Sequence, residues 1–180
     1  MSKELIEALL EEASMILHQG NAPFDGNGRF AETGDEAVFG LRAEGRPVRV
    51  IAADLGCDIA VVEEAIDRAR RRRPGLDLTE ERIAWELHRA VAEKLQHDRA
   101  QVVEIARRNL ARLRQEKRQS PAAAWIEEWE SLLDGDPRRL LERMLASDEH
   151  AADLRRLAPF AGSLTEAERL LAIRKASLTG

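Results

Sequence analysis

The chain has 180 residues, a net charge of −5, no tyrosine, a single cysteine and only 4% aromatic residues. That length suits one or two domains with a respectable core, and usage dominated by Ala, Leu, Arg and Glu favours packed helices over sheets. With no long apolar run, an opening Met1-Ser2-Lys3-Glu4 and one cysteine, the sequence excludes a membrane span, a secretory signal and an internal disulfide; a cytoplasmic location is expected.

The predicted elements begin with a helix that Ser2 can cap. Its Leu5, Ile6, Leu9, Leu10, Ala13, Ile16 and Leu17 form an apolar stripe, a candidate homodimer face. Residues 20 to 34, with Gly20, Gly26, Gly28 and Gly34, read as a loop. Three helices then follow closely, at residues 35 to 44, 47 to 55 and 58 to 70, with Gly45 and Pro47 marking the first boundary. Ile51, Ala52 and Leu55 share one face, Gly56 permits a positive φ, and Val62 and Ile66 return to the same core. This is the pattern of a helix-turn-helix unit. Cys57 reads as a buried small hydrophobe beside that turn.

Pro74-Gly75 breaks the chain, and a long helix capped by Asp77 or Thr79 runs to about Gln96, with Ile83, Leu87, Val91 and Leu95 on one face. A second, with Val102, Ile105, Ala106, Leu110 and Leu113 inward, should pair with it as an antiparallel hairpin. Ser120-Pro121 opens a helix bearing Trp125, Ile126, Trp129, Leu132 and Leu133. Asp136-Pro137 opens another with Leu140, Leu141, Met144 and Leu145, Ser147 or Asp148 caps a third, and Thr165 with Glu168 forms a capping box for the last. The expected architecture is all-α: a unit at 1–74 holding the helix-turn-helix, a hairpin at 75–119 and a C-terminal helical segment at 120–180.

Charge is unevenly spread. Residues 1 to 66 carry 5 basic and 13 acidic side chains, residues 67 to 118 carry 15 and 9, and the remainder 8 and 11. The basic middle includes Arg68, Arg70, Arg71, Arg72 and Arg73 beside the helix-turn-helix, and Arg107, Arg108, Arg112, Arg114, Lys117 and Arg118 later. Such clusters are the usual footprint of phosphate contacts, or simply charge suited to helix C-termini. Asp58, Ile59, Ala60, Glu63 and Glu64 fall on the exposed side of the second helix, so the face that would read bases is acidic. The expected DNA contacts are Arg46, Arg49, Arg68, Arg70, Arg71 and Arg72 on the backbone, with Ala60 toward the groove.

Chemistry-bearing motifs are scarce. Asn21 to Arg29 resembles the nucleotide-binding loop of Fic-domain AMP-transferases through Asp25-Gly26-Asn27-Gly28-Arg29. Asn21 stands where that family has its histidine base, and Glu32 where its second arginine is expected, so transfer chemistry has no driver. Arg29 also ends any analogy to a calcium loop. His18, His88, His97 and His150 share no ligand spacing with one another or with Cys57. No catalytic residue, metal or cofactor is expected, and the chain is read as a non-enzyme.

Trp125 and Trp129 lie four apart on one helix face, either as core or as partner-binding anchors. From Trp125 to Arg169 the chain resembles bacterial helix-turn-helix regulators of toxin–antitoxin type that end in a Pro-Phe-Ala-Gly-x-Leu-Thr tail. The matching positions are Trp125, Trp129, Leu154, Arg155, Pro159, Phe160, Ala161, Gly162, Leu164, Thr165, Glu168 and Arg169. The resemblance implies a DNA-binding antitoxin or accessory regulator that binds operator DNA and engages a partner protein through its C-terminal half. Trp125, Trp129, Arg155, Arg156, Phe160 and Leu164 are the expected partner contacts. The alternative is a protein-binding adaptor whose helix-turn-helix fold has no DNA function.

Overall fold

The computed structural model describes residues 3–18, 32–116 and 123–179. Among these the chain is all-helical, with ten helices: α1 (Lys3–His18), α2 (Glu32–Ala43), α3 (Val48–Leu55), α4 (Ile59–Arg71), α5 (Thr79–His97), α6 (Arg99–Glu116), α7 (Ala123–Asp134), α8 (Pro137–Leu145), α9 (Glu149–Arg156) and α10 (Glu166–Ser177). They divide into two compact units, Met1–Gly75 with Arg174–Gly180, and Leu76–Ile173. The Gly-rich segment with its Fic-like loop, apart from its last residues, and the Ser2 and Ser120-Pro121 caps lie outside the described residues.

The first unit is built around α2. Helices α1, α3 and α4 all pack on it, and α1 also touches α3. Val38, Phe39 and Leu41 of α2 meet Ile51, Ala52 and Leu55 of α3 and Val62, Ala65, Ile66 and Ala69 of α4, and all of these are buried. Two turns with the same wiring set the corners. At Gly45 (φ 86°) the Arg46 N–H donates to Leu41 O and the Gly45 N–H to Arg42 O. At Gly56 (φ 64°) the Cys57 N–H donates to Ala52 O and the Gly56 N–H to Ala53 O. Both are Schellman closures, which need a left-handed residue and so select glycine.

Three expectations for this unit are revised in whole or in part. Helix α2 begins earlier than Asp35, at Glu32, and takes the buried Gly34 into its first turn instead of leaving it in a loop. Leu9 of the expected dimer stripe is buried within the unit, its side-chain methyls 3.3 Å and 3.4 Å from where a Cβ on Gly40 would stand, while Leu5, Ile6 and Leu10 are half-buried. Cys57 is only half-buried; burial and the neighbouring Asp58 carboxylate push its thiol pKa up, which keeps it protonated and unreactive.

The second unit has one continuous core, so the hairpin of residues 75–119 is not a separate part from the helices that follow. Val91, Ala92 and Leu95 of α5, Val102, Ala106 and Leu110 of α6, and Ile126, Trp129, Leu132 and Leu133 of α7 pack with Leu140, Met144, Leu154 and Phe160. The register of α5 differs from the expected stripe. Trp85, His88 and Ala92 are buried while Ile83 and Leu87 are intermediate, because Trp85 donates from its indole N–H to Leu145 O at 2.9 Å and draws its face toward α8. The start of α5 has no side-chain cap; Arg82 instead donates to Leu76 O, Asp77 O and the Thr79 hydroxyl. Other caps form as their residues suggest. Asp136 accepts from the Arg138 N–H, Asp148 from the Ala151 N–H, and Thr165 and Glu168 exchange reciprocal bonds of 2.6 Å and 3.2 Å.

Candidate functional site

The arginines at the end of α4 were the strongest sequence candidates for a ligand-binding surface; the fold buries Arg73, half-buries Arg68 and engages Arg72, and leaves Arg70 and Arg71 exposed. Asp35 is fully buried at the start of α2. It accepts from Arg68 Nε at 3.0 Å, Arg68 Nη2 at 2.7 Å and Arg72 Nη1 at 2.9 Å. Glu36 accepts both terminal nitrogens of Arg73, at 3.1 Å and 3.0 Å, with Arg72 at 3.6 Å. Arg73 is itself buried, lies 4.0 Å over the Phe39 ring and donates to Ala69 O. Spacing on α4 explains the arrangement: positions 68 and 72 are one turn apart on the side facing α2, and 69 is between them in the core.

This bears directly on the expected DNA contacts. Withdrawing one partner from a buried ion pair costs about 3–5 kcal/mol, whereas a surface phosphate contact returns far less than that. Arg68 and Arg72 are therefore engaged by the fold through Asp35, with Arg72 still exposed at the surface. Arg46 is paired with Asp54, and Arg70 donates to Asp67 and to Leu178 O. Arg49 and Arg71 are exposed and make no ion pair with any described residue. Ala60 is exposed on the start of α4 beside Asp58, Ile59, Glu63 and Glu64. Asp35 and Glu36 were not singled out from sequence. Their signal was two adjacent carboxylates at a helix start, a pattern that usually means solvated charge.

The expected partner contacts also divide. Trp129 has no exposed surface; its indole N–H donates to Leu154 O at 3.1 Å, and Phe160 packs edge-on against it at 5.2 Å. Arg155 is buried, donating from Nη1 to Met144 O and Ala146 O at the end of α8, and burial lowers its pKa. These three hold the core together and present nothing to a partner. The bulk of the Pro159–Thr165 tail is placed by Asn109, which donates to Pro159 O and Ala161 O, and by Ser163, which donates to Phe160 O. Leu164 is partly buried against the same core. Trp125 remains half-exposed, packed at 4.8 Å against the His150 ring with the two planes tilted by 46°, and His150 bonds Glu128 at 2.9 Å; Arg156 is exposed and paired with Asp153.

Among the described residues His88 is the most strongly perturbed titratable group. It lies parallel to Trp129 at 6.3 Å and edge-on to Phe160 at 6.0 Å, with Nδ1 on Ala84 O at 2.7 Å and no partner for Nε2. Burial lowers its pKa to about 4, so it is neutral at pH 7. It is buried between Trp129 and Phe160 in the apolar core, which marks a packing role. Among the described residues no group of three or more His, Cys, Asp or Glu side chains is arranged to hold a metal, and no helix is long and apolar enough to cross a membrane. No protein-family model matches the chain, and neither the curated proteins nor the solved structures contain a significant match.

Proposed function

We propose that this chain acts by holding another protein, as an adaptor or the protein-binding half of an antitoxin pair, and that α2, α3 and α4 form a helix-turn-helix fold with no operator to read. The observation that carries the reading is the clasp of Arg68 and Arg72 on the buried Asp35, together with Arg73 on Glu36. It ties three cations to carboxylates of α2, with Arg73 buried outright, and so lowers the positive charge a phosphate backbone would meet. What stays exposed at the start of α4 is acidic and apolar, with Ile59 at 44% exposure beside Asp58, Glu63 and Glu64. Such a surface repels a polyanion and suits a protein.

The test pairs two measurements. Duplex DNA from the chain's own upstream region, titrated at physiological salt, should bind no more tightly than about 10⁻⁴ M, the weak end of non-specific binding. Purification of the tagged full chain from its native cell, with nuclease treatment, should retain a stoichiometric protein. Operator binding, with the expected dimer, is the second reading; it is favoured by the unpaired Arg49 and Arg71. Tight DNA binding that weakens steeply with salt and is lost in an Arg49→Ala, Arg71→Ala variant would establish it and overturn the first.

A further inference from the structure

The chain leaves the first unit at Gly75 and returns to it at Arg174. What the returning segment meets there is a buried carboxylate. Glu44 stands just past the end of α2 with its side chain 1% exposed, and its Oε2 accepts from Arg174 Nη1 at 2.5 Å. Its Oε1 has no hydrogen-bond donor, so among the described residues Arg174 is the one cation paired with Glu44. A negative charge in that position is doubly unfavourable, since it is withdrawn from water and lies at the negative end of the α2 dipole. A single guanidinium has to offset both effects.

The residues after Arg174 extend the contact. Lys175 and Ala176 are buried, and the Lys175 Cε lies 3.5 Å from where a Cβ on Gly40 would stand, a point that the Leu9 methyls also approach. The missing side chain at Gly40 therefore lets both α1 and the aliphatic stem of Lys175 close on α2. Beyond them the segment closes its own turn, with the Leu178 N–H donating to Lys175 O and the Thr179 hydroxyl to Ala176 O. The Leu178 carbonyl then accepts from Arg70 Nε at 3.2 Å, in the last turn of α4. One short stretch thus reaches both α2 and α4, the two helices whose packing makes the core of this unit.

We propose that residues 174–179 are a strap that keeps the first unit closed, holding α2 and α4 together through Glu44, Gly40 and Arg70, and that releasing it opens this unit alone. The selectivity follows from composition of the other core. From Val91 to Phe160, the apolar cluster of the second unit draws no residue from the strap.

Hydrogen–deuterium exchange of the full chain, read by mass spectrometry over peptides from each helix, separates the outcomes. Arg174→Gln should speed exchange in α2 and α4 by at least about tenfold and leave α6 and α7 at the wild-type rate. Arg174→Lys restores the cation and should recover most of the protection. Gln, Lys and Arg have nearly equal helix propensity, so neither substitution weakens α10 itself. A chain ended after Ile173 should lose protection across α2 and α4 more completely than Arg174→Gln and keep it in α6 and α7. Unchanged exchange of α2 and α4 in both the Gln variant and the shortened chain would overturn the strap. So would a loss that spreads equally to α6 and α7, since the stretch would then support the whole chain. An Arg174→Lys chain no better protected than Arg174→Gln would overturn it too, because the pair with Glu44 would not be what holds.

Discussion

Replacing Arg68 with alanine is the sharpest probe of the clasp. The change removes two charge-assisted hydrogen bonds, of 3.0 Å and 2.7 Å, from a carboxylate that has no exposed surface. Bonds to a charged group contribute about 1.5–3 kcal/mol each, and breaking a buried pair costs about 3–5 kcal/mol because the remaining charge is left without compensation. Arg72 stays within 2.9 Å of Asp35, which places the loss near the lower bound, about 3 kcal/mol. For a unit of about 80 residues this corresponds to a fall in Tm of roughly 12–24 °C. The assay can address the unit directly. All three tryptophans, Trp85, Trp125 and Trp129, belong to the second unit, so fluorescence follows that unit while far-UV circular dichroism follows both. Arg68→Ala should move the dichroism transition well below the fluorescence transition. Arg68→Lys should recover part of the loss, since it restores charge without the planar fork. A loss below about 1 kcal/mol, the worth of a surface pair, would refute the reasoning and return Arg68 to the pool of cations available for DNA.

Three further outcomes are expected. His88 is neutral in the fold with a pKa of about 4 against an ordinary 6.5, so the folded state binds fewer protons than the unfolded between those values. Stability of the second unit should therefore be full above about pH 6.5 and fall by about 1.4 kcal/mol per pH unit to about pH 4, a total near 3 kcal/mol; urea midpoints by tryptophan fluorescence should show the slope, and His88→Phe should flatten it. Trp129→Ala should cost about 3–5 kcal/mol through the cavity and the lost bond to Leu154 O, and a urea midpoint close to wild type would contradict its central place in the core. Thr165→Ala, which removes one half of the capping box, should cost about 1 kcal/mol in the same assay.

Much of the fold was legible because it rests on local rules. The corners at Gly45 and Gly56, the Asp136-Pro137 start and the Thr165–Glu168 box each lie within a few residues of chain, and backbone hydrogen bonding forces them. The apolar faces of α3 and α4 followed from spacing alone, and Ile51, Leu55, Val62 and Ile66 are buried as that spacing requires. Register on α5 was less legible. Its stripe had two readings, and the long-range indole bond from Trp85 to Leu145 selects between them.

The candidate site depended still more on distance along the chain. A run of arginines looks the same in sequence whether it faces phosphate or carboxylate, and the carboxylates that decide it stand 33 and 37 residues away on α2. Likewise Trp129, Arg155 and Phe160 have the chemistry of interface anchors, but packing closes around them on every side. Sequence by itself determined the helices, most of their ends and the uneven charge, because propensity, capping and periodicity act over one or two turns. Only tertiary structure decided which cations are neutralised and which aromatics are enclosed, because each depends on which helix faces meet.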